Sequence, residues 1–320
     1  MMILALAAFV PMLASRPGRL ILDTHDGLHL DPAGTLATAA SRWDPIGALG
    51  MFADKTYDYT FPMSQWFWLG DRVGLPMWIT HRLWLGLLLF AAGSGVVFLI
   101  RTMNWTVQNW LLAALVYQCS PYVLLYAGSR STVLLAWAAL PWLIAFTMRS
   151  LVEAGWRSPA WCAVIVALMG SGNVAATIYV ALACLTWFLY ATVATKDIGW
   201  REALIPFARI AVLCTIVSVW WLTSLLSDPG AAFASFRASA RVDAVREASS
   251  VSEVVRGLGN WRLYTLDDSN SIAAGVDLQR SPWLIAAGFA LPAIALAAMV
   301  RVRFPYRLYF VILFTLGAVL

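Results

Sequence analysis

The chain has 320 residues, 61% apolar and only 12% charged, with a formal charge of +5 from 22 Lys+Arg against 17 Asp+Glu. Soluble domains sit near about 45–50% apolar and about 25% charged, whereas mean hydropathy here is +0.74. These values exclude a soluble globular enzyme, a disordered chain and a nucleic-acid binder, and the sequence reads as an all-α polytopic membrane protein.

Apolar runs near the roughly 20 residues needed to cross a bilayer predict nine spans. They fall at 2–14, 77–100, 105–125, 131–148, 159–174, 176–194, 204–226, 282–300 and 306–320. The first run is short, but no small-x-small cleavage pattern follows it, so a real helix is expected rather than a signal-peptide core. The last run reaches Leu320 with no flanking charge, which suggests the front part of a longer protein.

Two connecting segments are too long to be simple turns: 15–76 and 228–281. Segments of this length are functional or disordered as a rule, and their aromatic and helix-compatible content predicts ordered caps. The first begins with Leu22-Asp23-Thr24-His25-Asp26-Gly27-Leu28-His29-Leu30-Asp31-Pro32. Close carboxylates let one act as a base while another positions a substrate or metal, and Asp23 and Asp26 are three apart. A solvated, helix-capping acidic loop is the other reading. His25, Asp26, His29 and Asp31 lack a metal-binding spacing, so no metal or other cofactor is expected, although His and carboxylate ligands suit several divalent ions.

Trp43-Asp44-Pro45 follows, then Asp54-Lys55-Thr56-Tyr57-Asp58-Tyr59-Thr60-Phe61-Pro62. Rings stack on the apolar face of a sugar while carboxylates accept its hydroxyls, so Trp43, Asp44, Tyr57, Asp58 and Tyr59 are candidate sugar or acceptor contacts. A plain turn or a membrane-interface belt uses the same residue types. At the start of the second span, Thr80-His81-Arg82-Leu83-Trp84 places Arg82, with His81 beside it, where a lipid-linked phosphate would arrive. Snorkelling to the interface is the alternative. Arg130, in Gly128-Ser129-Arg130-Ser131, has the same two readings.

Farther along, Gly170-Ser171-Gly172-Asn173 reads as a tight turn, and the mixed charges of 228–281 as a solvated surface. Cys119, Cys162, Cys184 and Cys214 all fall in or beside apolar runs and read as small buried hydrophobes. With the N-terminus inside, the inner loops carry nine basic and three acidic residues, against 13 basic and 14 acidic outside. Lys and Arg favour the cytoplasmic side, so both long segments are predicted to be extracytoplasmic. The chain contains no phosphate-binding glycine loop, no GxGxxG after a strand and no HExxH. Nor does any carboxylate fall mid-span, where an ion-coupled transporter needs one. This points to chemistry at the outer surface of the plasma membrane with a lipid-linked donor.

The first half resembles the N-terminal membrane domain of the actinobacterial α-(1→3)-arabinofuranosyltransferases. Asp23-Thr24 resembles that family's Pro-Asp-Thr segment, and Pro32, Trp43 and Tyr59-Thr60-Phe61-Pro62 follow at similar spacing. Gly74-Leu75-Pro76-Met77-Trp78-Ile79-Thr80-His81-Arg82-Leu83-Trp84 is the most specific match, to Gly-x-Pro-x-Trp-x-Thr-x-Arg-Leu-Trp. Ser120-Pro121, Pro141-Trp142, Met169-Gly170-x-x-Asn173 and Trp220-Trp221 also fit, so the resemblance covers residues 20–226. It implies a GT-C-like fold across the whole chain, a decaprenylphosphoryl-arabinose donor and a cell-wall arabinan acceptor. It also implies a catalytic carboxylate in the first outer loop that deprotonates the acceptor hydroxyl, Asp23 first and Asp26 second. Arg82, His81 and Arg130 would then bind the donor phosphate. The chain departs from the family at Ser129-Arg130-Ser131-Thr132-Val133, where an acidic residue is missing, and after Trp220-Trp221. A transferase using another polyprenyl-phosphate sugar such as mannose, a lipid-linked sugar transporter and an inactive scaffold are the competing readings.

Overall fold

A computed structural model describes residues 1–21, 23–24, 27–39, 43–44, 51–52, 61–105, 109–127, 130–170, 174–196, 198–227, 250–259 and 273–319. Apart from a two-residue β-hairpin, Trp43–Asp44 with Met51–Phe52, its regular structure is helical. The chain divides into two compact units: Met1–Cys119 with Tyr126–Pro229, and Ser120–Leu125 with Gly230–Leu320.

Five helices are long and apolar enough to cross a membrane: Met77–Thr102, Thr132–Val152, Val174–Ala194, Trp200–Thr223 and Pro282–Arg301. Of the other four predicted runs, three form shorter apolar helices and one is broken. Met2–Ala14 and Arg157–Met169 are helices of 13 residues each, and the run at 306–320 gives Arg307–Val319, also 13. The run at 105–125 is broken into Trp110–Gln118 and Pro121–Tyr126. Pro121 explains the break, because proline lacks an N–H and steers the preceding residue, Ser120, away from helical backbone.

In the first unit we number the helices α1 (Met2–Ala14), α2 (Gly27–Leu30), α3 (Pro32–Ala39), α4 (Met63–Arg72), α5 (Met77–Thr102), α6 (Trp110–Gln118), α7 (Pro121–Tyr126), α8 (Thr132–Val152), α9 (Arg157–Met169), α10 (Val174–Leu189) and α11 (Trp200–Ser227). Only the last residue of α7 belongs to that unit. Helix α5 packs against α1, α6 and α8, and α8 in turn packs against α9 and α10. Small residues let the helices approach. Gly95 lies directly under the Trp142 ring, whose Nε1 donates to the Ala91 carbonyl at 2.8 Å. Phe98 stacks on Trp142 and meets Phe146, so α5 and α8 run parallel along a shared aromatic seam. By contrast α11 leaves Ile205, Val212, Ile216 and Val219 exposed, an apolar face suited to lipid.

Between α8, α9, α10 and α11 lies a cavity of about 330 Å³. Its lining includes Thr147, Cys162, Met169, Cys184, Cys214 and Trp221. All four cysteines of the chain are free thiols.

Helix α4 and the start of α5 form a corner over the end of the bundle that holds the α8 N-terminus. Gly74 has φ +73°, the left-handed geometry that glycine adopts without steric cost. The Leu75 and Gly74 amides donate to the Gly70 and Asp71 carbonyls, a Schellman closure of α4. Pro76 then opens α5. The Gly-x-Pro part of the Gly74–Trp84 segment is therefore a helix stop followed by a helix start. It folds α4 onto α5, where Trp66 Nε1 donates to the Thr80 carbonyl at 3.0 Å.

In the second unit, Arg256 follows the short helix Val251–Val255 and is buried. It pairs with Glu253 at 2.8 Å, donates to the Leu278 carbonyl and lies over the Phe289 ring. This is a structural clasp in which both terminal nitrogens of the guanidinium have partners.

Candidate active site at the end of helices α5 and α8

The site is built around Asp23, which is fully buried. Burial of an unpaired carboxylate is expensive, so its surroundings must supply donors, and they do. Oδ1 accepts from the Ser131 amide at 2.8 Å and from the Thr24 hydroxyl at 2.9 Å. Oδ2 faces His81 Nε2 at 3.2 Å. The Ser131 amide stands at the N-terminus of α8, where the peptide dipoles add a further attraction for a negative charge. Asp23 is thus a cap supplied from 108 residues away.

Thr24, next in the chain, has φ +66°. A β-branched residue in this region is strained, and such strain persists only where neighbours over-determine the backbone. Those neighbours are visible. The Asp23 amide donates to His29 Nε2 at 2.9 Å. His29, on α2, sits edge-on to Phe67 of α4 at 4.6 Å between ring centroids and edge-on to His81 at 5.6 Å. The same Nε2 lies 3.1 Å from the Asp23 carbonyl, so one ring nitrogen meets both backbone polar groups of Asp23. Asp23 is held by its backbone on one side and by its carboxylate on the other.

A second layer fixes Ser131. Its hydroxyl accepts from Trp84 Nε1 at 2.8 Å and lies 3.9 Å from the Met63 sulfur. Trp84 is one turn along α5 from His81, so a single helix positions both the carboxylate's partner and the support beneath it.

Arg82 is next to His81 and is also buried. Its guanidinium makes one long contact, from Nη2 to the Arg19 carbonyl at 3.4 Å, and Nε has no hydrogen-bond partner among the described residues. No described carboxylate pairs with it. A buried cation without a counter-charge is costly, and an incoming anion would relieve that cost. Arg130 is exposed and immediately precedes Ser131. Its backbone is tied to Tyr126 and Val133, while its side chain is open to solvent.

The structure therefore brings Asp23, His81 and Arg82 together at the junction of chain 19–24 with α5, and puts Arg130 beside the α8 N-terminus. Trp43 and Asp44 pair with Phe52 and Met51 in the β-hairpin. Asp26, Tyr57, Asp58 and Tyr59 lie outside the described residues, as does Asn173. Among the described residues no group of three His, Cys, Asp or Glu side chains is arranged to hold a metal ion. Sequence reasoning did not single out Ser131, Trp84 or Thr24 as parts of the site, and considered His29 only as a metal ligand. The left-handed backbone at Thr24 and the 108-residue contact have no signature in a single sequence.

Comparison with known proteins agrees with this architecture. The family model described as alpha-(1->3)-arabinofuranosyltransferase, N-terminal GT-C domain, matches residues 7–320, which extends the resemblance well past residue 226. The α-(1→3)-arabinofuranosyltransferase of Mycolicibacterium smegmatis is 30% identical over 328 residues, covering 99% of this chain and 22% of that protein. The protein of the same name from Mycobacterium tuberculosis is 27% identical over 314 residues, covering 96% and 22%. A cryo-EM structure of the mycobacterial arabinofuranosyltransferase AftD shares the fold with a TM-score of 0.75 at 24% identity, over 96% of this chain and 21% of that one. The chain thus spans about a fifth of the length of the relatives it matches. With a family model covering nearly all of it, the chain belongs to the α-(1→3)-arabinofuranosyltransferase family, as its N-terminal GT-C membrane domain.

Proposed function

We propose that this chain forms the catalytic membrane domain of an enzyme that transfers arabinofuranose from a decaprenyl-phosphate donor to a cell-wall arabinan. The observation that carries the reading is the buried Arg82, which has no carboxylate partner among the described residues, beside the buried Asp23–His81 pair. A glycosyl phosphate needs two things at once: a negative group that makes the acceptor hydroxyl nucleophilic, and a positive group that stabilises the departing phosphate.

In this scheme the donor's polyprenyl chain stays in the bilayer and its phosphate reaches Arg82, with Arg130 as a second, exposed cation. Asp23 supplies the negative charge on which proton removal from the acceptor hydroxyl depends, and Asp26 is the second candidate carboxylate. The acceptor oxygen attacks the anomeric carbon from the face opposite the phosphate, so the configuration inverts. Trp43, Asp44, Tyr57, Asp58 and Tyr59 are the candidate contacts to the sugar and acceptor. Aromatic rings and carboxylates are suited to a furanose, whose ring has an apolar face and a rim of hydroxyls.

The same reading places the site at the extracytoplasmic face of the plasma membrane, within a chain of nine spans and two large outer segments, 15–76 and 228–281. Its support is charge: Arg101, Arg149 and Arg157 sit at the ends of α5, α8 and α9 away from Asp23, where the preference for cytoplasmic Lys and Arg puts them. The membrane-short helices are then the ones that need neighbours or tilt to complete a crossing.

A donor panel tests the proposal. Membranes carrying the protein are supplied with polyprenylphosphoryl-arabinofuranose or polyprenylphosphoryl-mannose and an arabinan acceptor, and product linkage is measured. Arabinose transfer alone is expected. Mannose transfer, or movement of the intact lipid across the bilayer without transfer, would replace this function with another.

A further inference from the structure

We infer that the proton of the acceptor hydroxyl is taken by His81, at Nδ1, with Asp23 as the group that orients and stabilises the imidazole. This rests on the transferase reading of the site and names the atom that does its proton transfer.

His81 Nε2 faces Asp23 Oδ2 at 3.2 Å, and both side chains are essentially inaccessible, at 1% and 0% exposed. Asp23 Oδ1 is already engaged by two donors, the Ser131 amide and the Thr24 hydroxyl. Those bonds fix the carboxylate as an acceptor. The nitrogen opposite it must then carry the hydrogen, because two facing lone pairs would repel. In neutral imidazole a proton on Nε2 leaves the lone pair on Nδ1. Nδ1 of His81 is buried and has no hydrogen-bond partner among the described residues.

A buried acceptor left unpaired costs about 1–3 kcal/mol, and in native proteins such an orphan calls for an explanation. An incoming hydroxyl would satisfy it. Both Asp23 oxygens already face donors, whereas His81 Nδ1 has no partner among the described residues. The arrangement follows the logic of a carboxylate that fixes the tautomer of a histidine base and balances the imidazolium that forms.

The step balances. The acceptor O–H bond breaks and its proton joins Nδ1, giving an imidazolium held against Asp23. The oxygen pair forms the new bond to the anomeric carbon, the C–O bond to phosphate breaks, and the electron pair leaves with the polyprenyl phosphate beside Arg82. The imidazolium then releases its proton to solvent.

His29 and Phe67 close the other sides of the His81 ring. They present no carboxylate to it, and His29 Nε2 is already engaged by the Asp23 backbone. Among the described residues, His81 Nδ1 is therefore left for this work.

Two amide substitutions of different length separate a base from a strut. His81→Gln places an amide N–H where Nε2 was, so the Asp23 bond survives while the Nδ1 lone pair is lost. His81→Asn does the converse, keeping polar atoms near Nδ1 and losing the Asp23 contact. A base predicts that His81→Gln lowers kcat by at least about 10²-fold, with donor KM and melting temperature near the wild type. A merely structural role predicts that His81→Gln works and His81→Asn fails, which would overturn the inference. Nitrogen NMR of histidine-labelled protein, assigned with His81→Gln, provides a readout independent of turnover. A lone-pair-bearing Nδ1 and a protonated Nε2 are expected at His81, and the reverse tautomer would overturn the inference even if no transfer were detected. Absence of transfer by the wild type from every donor would instead count against the transferase reading.

Discussion

The two ends of helix α8 each carry a hydrogen-bonded carboxylate, and they differ in nearly everything else. At the N-terminal end, Asp23 and His81 are 58 residues apart in sequence and almost wholly buried, and the α8 amide of Ser131 completes the cluster. At the C-terminal end, Arg149 and Glu153 are four residues apart, 39% and 41% exposed, with the Ser158 hydroxyl donating to the same carboxylate at 2.7 Å. Water screens the second pair, so its geometry tidies a loop and little more. The first is removed from water, so every donor around it matters and each unmatched group is costly. Desolvation turns a common pair of residue types into a site.

If this contrast is correct, the largest effect comes from removing the buried carboxylate. Asp23→Ala strips partners from the Ser131 amide, His81 Nε2 and the Thr24 hydroxyl together. Breaking a buried pair by deleting one member costs about 3–5 kcal/mol, so a large fall in the melting temperature of the detergent-solubilised protein is expected. A melting temperature equal to that of the wild type would mean that the cluster is not as dry as it looks.

Gly170→Ala comes next. Gly170 has φ +60° and ψ −157°, and an added Cβ would strike the Phe61 carbonyl. Backbone in that region is essentially confined to glycine, and strain of this kind costs about 1–3 kcal/mol. Thermal unfolding should report it. Trp84→Phe should cost less, about 1 kcal/mol, because it removes a single bond to the Ser131 hydroxyl while keeping most of the ring volume. Its readout is the same melting curve, with transfer activity falling only modestly.

The smallest effect is expected at the exposed pair. The Ser158 hydroxyl and the Arg149 guanidinium hold the Glu153 carboxyl below its ordinary range. A carboxyl lowered in the folded state contributes stability above its unfolded value, and loses it as pH falls through the folded one. Glu153→Gln should therefore change stability by no more than about 0.5 kcal/mol at neutral pH, with the difference from wild type fading under acid conditions. A multi-kilocalorie loss there would erase the distinction between the two ends.

The same contrast explains what the sequence made legible. Hydropathy marked nine runs, and five of them form helices long and apolar enough to cross a membrane, because a lipid-facing or core-facing helix must be apolar over about 20 residues. It overestimated the run at 105–125, where Pro121 intervenes. The i,i+4 spacing of Arg149 and Glu153 follows from helical periodicity. Asp23 and Arg82 were singled out by residue type and position near span ends, and the fold puts them in one neighbourhood. Ser131 was not, because its contribution is a backbone amide, and an amide has no residue-type signature. His81 was read as a phosphate ligand, since its partner lies 58 residues away and only packing brings them together. Thr24 was visible only as a neighbour of Asp23, because its strained backbone depends on contacts from α2, α5 and α8.

The central claim is that Asp23 and Arg82 act on a lipid-linked arabinofuranose, and it meets its most direct test in one measurement. Transfer of labelled arabinofuranose from a decaprenyl-phosphate donor is compared for the wild type, Asp23→Asn and Arg82→Gln, in membranes matched for protein amount. The account predicts product from the wild type and a loss of at least about 10²-fold in each variant, as expected when a charge that acts in the transition state is removed. Full activity in Asp23→Asn and Arg82→Gln would contradict it.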